Sequence, residues 1–115
     1  MIRAAVLALA MIATAFPAAA HKLRVFASVT GETVSVEAKF STGRIPKSGE
    51  IRVFDASESL ILTLPLDPEG VTSFPLDAEA AAGGLMIEVE AGEGHQNYWL
   101  LTPDDIARGQ SGADQ

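Results

Sequence analysis

The sequence predicts an all-β fold, a seven-stranded Greek-key β-sandwich behind an N-terminal signal peptide, and three observations predict it. Beyond residue 20 the apolar residues recur with a period close to two rather than 3.6. Turn-forming residues interrupt these runs at short, regular intervals, the pattern of a sandwich of short strands. The chain opens with the one long apolar stretch that fits neither description.

That opening stretch carries Arg3 as its only charge, continues through the apolar run Ala4 to Ala13, and closes on Phe16-Pro17-Ala18-Ala19-Ala20. A positive start, an apolar middle and a small-residue end are the three parts of a secretory signal. With Ala18 and Ala20 at the positions where the peptidase needs small side chains, cleavage is expected before His21. A membrane anchor fits less well, because the stretch is Ala-rich and broken by Pro17, and a spanning helix needs about 20 strongly apolar residues. The expected product is periplasmic and does not itself span the membrane.

The first strand follows from Leu23, Val25, Ala27 and Val29, which alternate with polar residues except at Phe26. Thr30-Gly31-Glu32 makes a turn. Val34, Val36, Ala38 and Phe40 then alternate with Ser35, Glu37 and Lys39, the cleanest strand signal in the chain. An irregular loop, Ser41 to Gly49, is punctuated by Gly43 and Pro46. Further strands are expected at Glu50 to Asp55, Ser59 to Leu64, Gly70 to Leu76, Leu85 to Ala91 and Gln96 to Thr102, separated by Asp-, Pro- and Gly-rich turns. Between the fifth and sixth strands, Asp77 is suited to cap a helical turn that stops at Gly83-Gly84. The division is therefore 1–20 signal peptide, 21–102 β-sandwich and 103–115 a polar tail that is expected to fray. Phe40, Phe54, Phe74 and Trp99 are expected in the core, since single aromatics within alternating strands normally pack inward.

Composition removes several classes of function. The processed chain keeps all 15 acidic residues and loses Arg3 from the 8 bases, leaving a net charge of −8. Nucleic-acid binding is not expected, because phosphate contacts need clustered Lys and Arg. The absence of cysteine removes thiolate metal sites and thiol nucleophiles, and leaves stability to the core. No Ser/His/Asp arrangement or Gly-rich phosphate loop is present, and Gly92-Glu93-Gly94 is too short for a nucleotide fingerprint, so no enzymatic activity is expected.

The chemistry that remains rests on two histidines. His21 precedes the first strand and His95 the last. If successive strands alternate in direction, strands one and seven run the same way and both histidines lie at one end, beside Asp67, Glu69 and Glu93 of the neighbouring loops. As sheet neighbours they would bring the two imidazoles within reach of one ion, strands lying about 4.8 Å apart. Cleavage also gives His21 a free α-amine. Amine and imidazole chelate together, His95 supplies a third nitrogen, and such a set suits Cu(II) or Ni(II), with Co(II) possible. The alternative is that both are ordinary surface residues of a domain that binds a protein partner and no metal.

Three segments carry a further likeness. His21-Lys22-Leu23-Arg24-Val25-Phe26-Ala27, Gly43-Arg44-Ile45-Pro46 and Ala91-Gly92-Glu93-Gly94-His95-Gln96-Asn97-Tyr98-Trp99 together resemble the periplasmic accessory component of nickel and cobalt uptake transporters of the energy-coupling-factor type. The middle, from Gly43 to Phe74, is similar to carboxypeptidase regulatory-like and transthyretin-like sandwiches of immunoglobulin-like architecture. The resemblance implies a non-catalytic domain that helps deliver Ni(II) or Co(II) to membrane-embedded transporter subunits. It also implies His21 and His95 as metal ligands, with Glu93 as a weaker one. Such accessory proteins commonly continue into a C-terminal anchor, whereas this chain ends in Ser111-Gly112-Ala113-Asp114-Gln115, which implies a soluble version. A periplasmic copper carrier is the nearest alternative on the same ligands.

Overall fold

The computed structural model describes residues 22–92 and 94–112. The expected signal peptide, His21 and Glu93 lie outside the described residues. The strands are β1 (Leu23–Thr30), β2 (Thr33–Phe40), β3 (Glu50–Phe54), β4 (Leu60–Pro65), β5 (Val71–Pro75), β6 (Leu85–Glu90) and β7 (Gln96–Leu101), followed by one helix, α1 (Pro103–Gly112). They form two antiparallel sheets, ordered β1-β2-β5 and β4-β3-β6-β7, an arrangement compatible with an all-β sandwich.

Alternation decides which residues the two sheets bury between them. In β2, Val34 and Val36 are completely buried while Ser35 and Glu37 face outward. In β3 and β6, Ile51, Val53, Ile87 and Val89 are completely buried, with Arg52 and Glu88 on the opposite face. The register pairs Ile51 with Val89 and Val53 with Ile87, so β-branched side chains stack in adjacent rows at the centre. Each such side chain is worth about 1.5–3 kcal/mol relative to exposure. All these residues belong to one continuous core cluster.

The aromatics divide. Phe74 is buried, and Phe40 and Trp99 pack half-buried against the core. Phe54 does not enter it. It follows Glu50 and Arg52 onto the outer face of β3, where its register neighbours are Met86, Leu60 and, one strand further, Leu100. Pleat parity outweighs hydrophobicity there, since Ile51 and Val53 already occupy the inward positions.

Residues 103–112 form a docked helix rather than a frayed tail. Thr102 Oγ1 accepts from the Asp105 N–H at 3.1 Å, and the Asp105 carboxylate accepts from the Thr102 N–H at 3.1 Å, a reciprocal cap that starts α1 at Pro103. Ile106 is buried against the strands. Gly109 meets the Val29 backbone so closely that a β-carbon would collide with its carbonyl oxygen, and the Gly109 carbonyl accepts from the Gly31 N–H at 3.1 Å. Polar composition concealed one buried side chain and one glycine, which suffice to dock three turns of helix. The expected turn after β5 is present, with Asp77 Oδ1 accepting from the Glu79 and Ala80 N–H groups at 3.2 Å each.

Candidate functional site

β1 and β7 are not neighbours in one sheet, because each is an edge strand of a different sheet. They nevertheless adjoin, and in the same direction. The Asn97 side-chain amide donates to the Leu23 carbonyl at 2.8 Å, the Phe26 and Trp99 rings stack edge to face at 5.1 Å, and Val29 meets Gly109 of α1, the helix that follows β7. Leu23 and Gln96, where the two strands begin, therefore lie at one end of the molecule.

Asn97 is the residue that sequence reasoning missed. Its amide holds the start of β1, while its Oδ1 accepts from the Tyr98 N–H at 2.8 Å. A polar residue in a strand facing a second sheet edge is the only signal for it, and that signal requires knowing which edges adjoin.

His95 stands at this end, half-buried. Its ring packs edge to face on Phe40 at 5.0 Å, and Phe40 is the register partner of Leu23. Its Nδ1 lies 3.0 Å from the Gly92 carbonyl oxygen. A carbonyl only accepts, so Nδ1 carries the proton and, in the neutral ring, Nε2 carries the free lone pair. The same carbonyl accepts from the His95 N–H at 2.9 Å, and the His95 carbonyl accepts from the Ala91 N–H at 2.8 Å, which fixes the turn under the ring. Lys22, the first described residue, is tied to this end by its carbonyl, which accepts from the Ser41 N–H at 2.7 Å. Beside His95, the loop 41–48 leaves a cleft of about 320 Å³ whose lining includes Phe40, Arg44, Pro46 and Lys47.

Among the described residues the carboxylates do not gather round it. Asp67 Oδ1 accepts from the Glu69 N–H at 2.8 Å and so serves its own turn. Glu50 and Glu90, at this end of β3 and β6, are held with Glu88 by Arg52, whose guanidinium donates to Glu88 from Nε at 3.0 Å and to Glu90 at 3.1 Å. The Glu88 hydrogen bond and charge raise the Arg52 pKa. Among the described residues no three His, Asp or Glu side chains form a group that could hold a metal ion. Of the three expected ligands, only His95 lies among the described residues.

Among the described residues no helix is long and apolar enough to cross a membrane. Comparison with known proteins finds no matching family model, no matching curated protein and no matching solved structure.

Proposed function

We propose that the chain is a non-catalytic, exported metal-binding module that assists uptake of Ni(II) or Co(II) by a membrane-embedded transporter, on a Greek-key sandwich of the immunoglobulin or transthyretin-like kind. The strand order supports that topology, with edge strands β1 and β7 closing one side of the sandwich. The observation that carries the metal reading is His95 itself. An imidazole whose Nδ1–H is held by a backbone carbonyl has a fixed ring plane and an available Nε2, the usual preparation of a metal-ligating histidine. The parallel run of β1 and β7 supports a shared site, because the chain enters β1 at the end where His95 stands. In this reading the α-amine and imidazole of His21 supply the other nitrogens, and Glu93 offers a carboxylate.

Isothermal titration calorimetry with Ni(II), Co(II) and Cu(II) tests it on two forms of the protein. One begins at His21 and the other carries one extra residue before it. One ion per chain is expected for the first and strongly weakened binding for the second. Equal affinities would remove the amine from the site, and no binding by either form would refute the metal reading. Cu(II) binds most nitrogen sites more tightly than Ni(II), so a copper carrier is distinguished by which metal rescues growth of a deletion strain.

A second reading, a metal-free module that binds a protein partner, is favoured by Arg44 and Lys47, whose charges line the cleft with His95 and disfavour a cation there. Replacing both histidines by alanine leaves transport and partner binding unchanged in that case.

A further inference from the structure

The basic residues of this acidic chain are unevenly placed. Lys22, Arg24, Lys39, Arg44 and Lys47 fall within residues 22–47, where Glu32 and Glu37 are the only acids. The β1–β2 register sets Arg24 directly opposite Lys39, both exposed on the outer face of the three-stranded sheet. Like charges in that position destabilise a strand pair. Among the described residues the ion pairs engage Arg52 and Arg108, and none engages these five.

The same face exposes apolar side chains. Phe26 and Val71 flank Glu37 in register and are 46% and 45% exposed, while Ile45 is 39% exposed. The loop carrying Ile45 sits over Gly70, where an added β-carbon would lie 3.1 Å from Ile45 Cγ2. Loop and sheet thereby enclose a groove of about 460 Å³ with Arg24 and Lys39 on one side and Phe26, Ile45 and Val71 around it.

We propose that this groove docks an extended segment of a partner protein in which apolar residues alternate with carboxylates. Carboxylates would lie over Arg24 and Lys39, and an apolar side chain among Phe26, Ile45 and Val71. Glu37 and Glu69, which also line the groove, accept from the N–H groups of the segment. The concave shape of the groove, roofed by the loop that carries Ile45, counts against a flat bilayer surface as occupant. This inference is independent of metal binding.

The test uses the full chain and a fluorescein-labelled octapeptide of alternating Leu and Glu, with the Leu/Lys octapeptide and phosphatidylglycerol vesicles as comparisons. Fluorescence anisotropy should show saturable binding of the Leu/Glu peptide alone, weakening as salt rises, with amide shift changes centred on Arg24, Phe26, Lys39, Ile45 and Val71. Arg24→Glu separates docking from folding. It converts a like-charge pair into an opposite one, so the melting temperature should hold or rise while peptide affinity falls at least tenfold. Lys39→Gln, which only removes one of the facing charges, should also weaken binding. Equal binding of both peptides, binding to vesicles without binding to the Leu/Glu peptide, no peptide binding at all, or undiminished affinity in both variants would each overturn the proposal.

Discussion

Replacing Ile106 by alanine tests the least expected part of the fold. Ile106 is 6% exposed and is the buried side chain of α1. Truncating a buried isoleucine costs about 2–5 kcal/mol. The helix lies at the margin of the core and can settle inward, and alanine is the better helix former by a few tenths of a kcal/mol, so the lower half of that range, about 2–3 kcal/mol, is expected. For a domain of this size that corresponds to a fall in melting temperature of roughly 10–20 °C. Urea titration by far-ultraviolet circular dichroism, with a thermal melt alongside, measures both. Arg108→Ala is the control: its side chain is 72% exposed and, among the described residues, pairs only with Asp105, so a change within about 0.5 kcal/mol is expected. If Ile106→Ala matches that control, the helix does not contribute its docking face to the fold, and the tail is as loosely held as its polarity suggests.

Three further predictions follow from the same contacts. The backbone N–H and hydroxyl of Thr102, and after them Arg108, hold the Asp105 carboxyl below its usual pKa. Its contribution is therefore complete above the unfolded value of about 3.9 and fades as pH falls from there through the folded value; the difference in urea midpoint between pH 6 and pH 3 should shrink in Asp105→Asn, and an unchanged difference would exclude the cap as its source. Phe74→Ala should cost about 3–5 kcal/mol and the outward-facing Phe54→Ala clearly less, and reversal of that order in urea titration would contradict the assignment of faces. Asn97→Ala frees the start of β1 and should cost about 1 kcal/mol and, if the proposed site holds, weaken Ni(II) binding with His95 Nε2 still available; Ni(II) affinity unaltered in this variant would show that the proposed site does not need β1 fastened beside β7.

The seven strands were legible because period two is a local property. Val34 to Phe40 shows its buried face without knowledge of any partner, and the structure starts or ends each strand within a residue or two of the expected place. Phe54 was misassigned for the complementary reason. Residue type suggests the core, whereas parity with Ile51 and Val53 places the side chain outside. The helix after Thr102 had a readable start, Thr102-Pro103 with Asp105 three residues on, but its docking depends on the close fit of Gly109 to Val29, which no periodicity reveals. At the candidate site, strand parity carried the direction of β1 and β7. It could not reveal that they belong to different sheets, that Asn97 bridges them, or that Gly92 orients the His95 ring.

The most direct test is a crystal structure of protein beginning at His21, grown with Ni(II). One ion per chain is expected, coordinated by His95 through Nε2 while Nδ1 remains on the Gly92 carbonyl, and by the α-amine and imidazole of His21. An ion held by either histidine alone, coordination through His95 Nδ1, or His21 and His95 without a shared ion would contradict it.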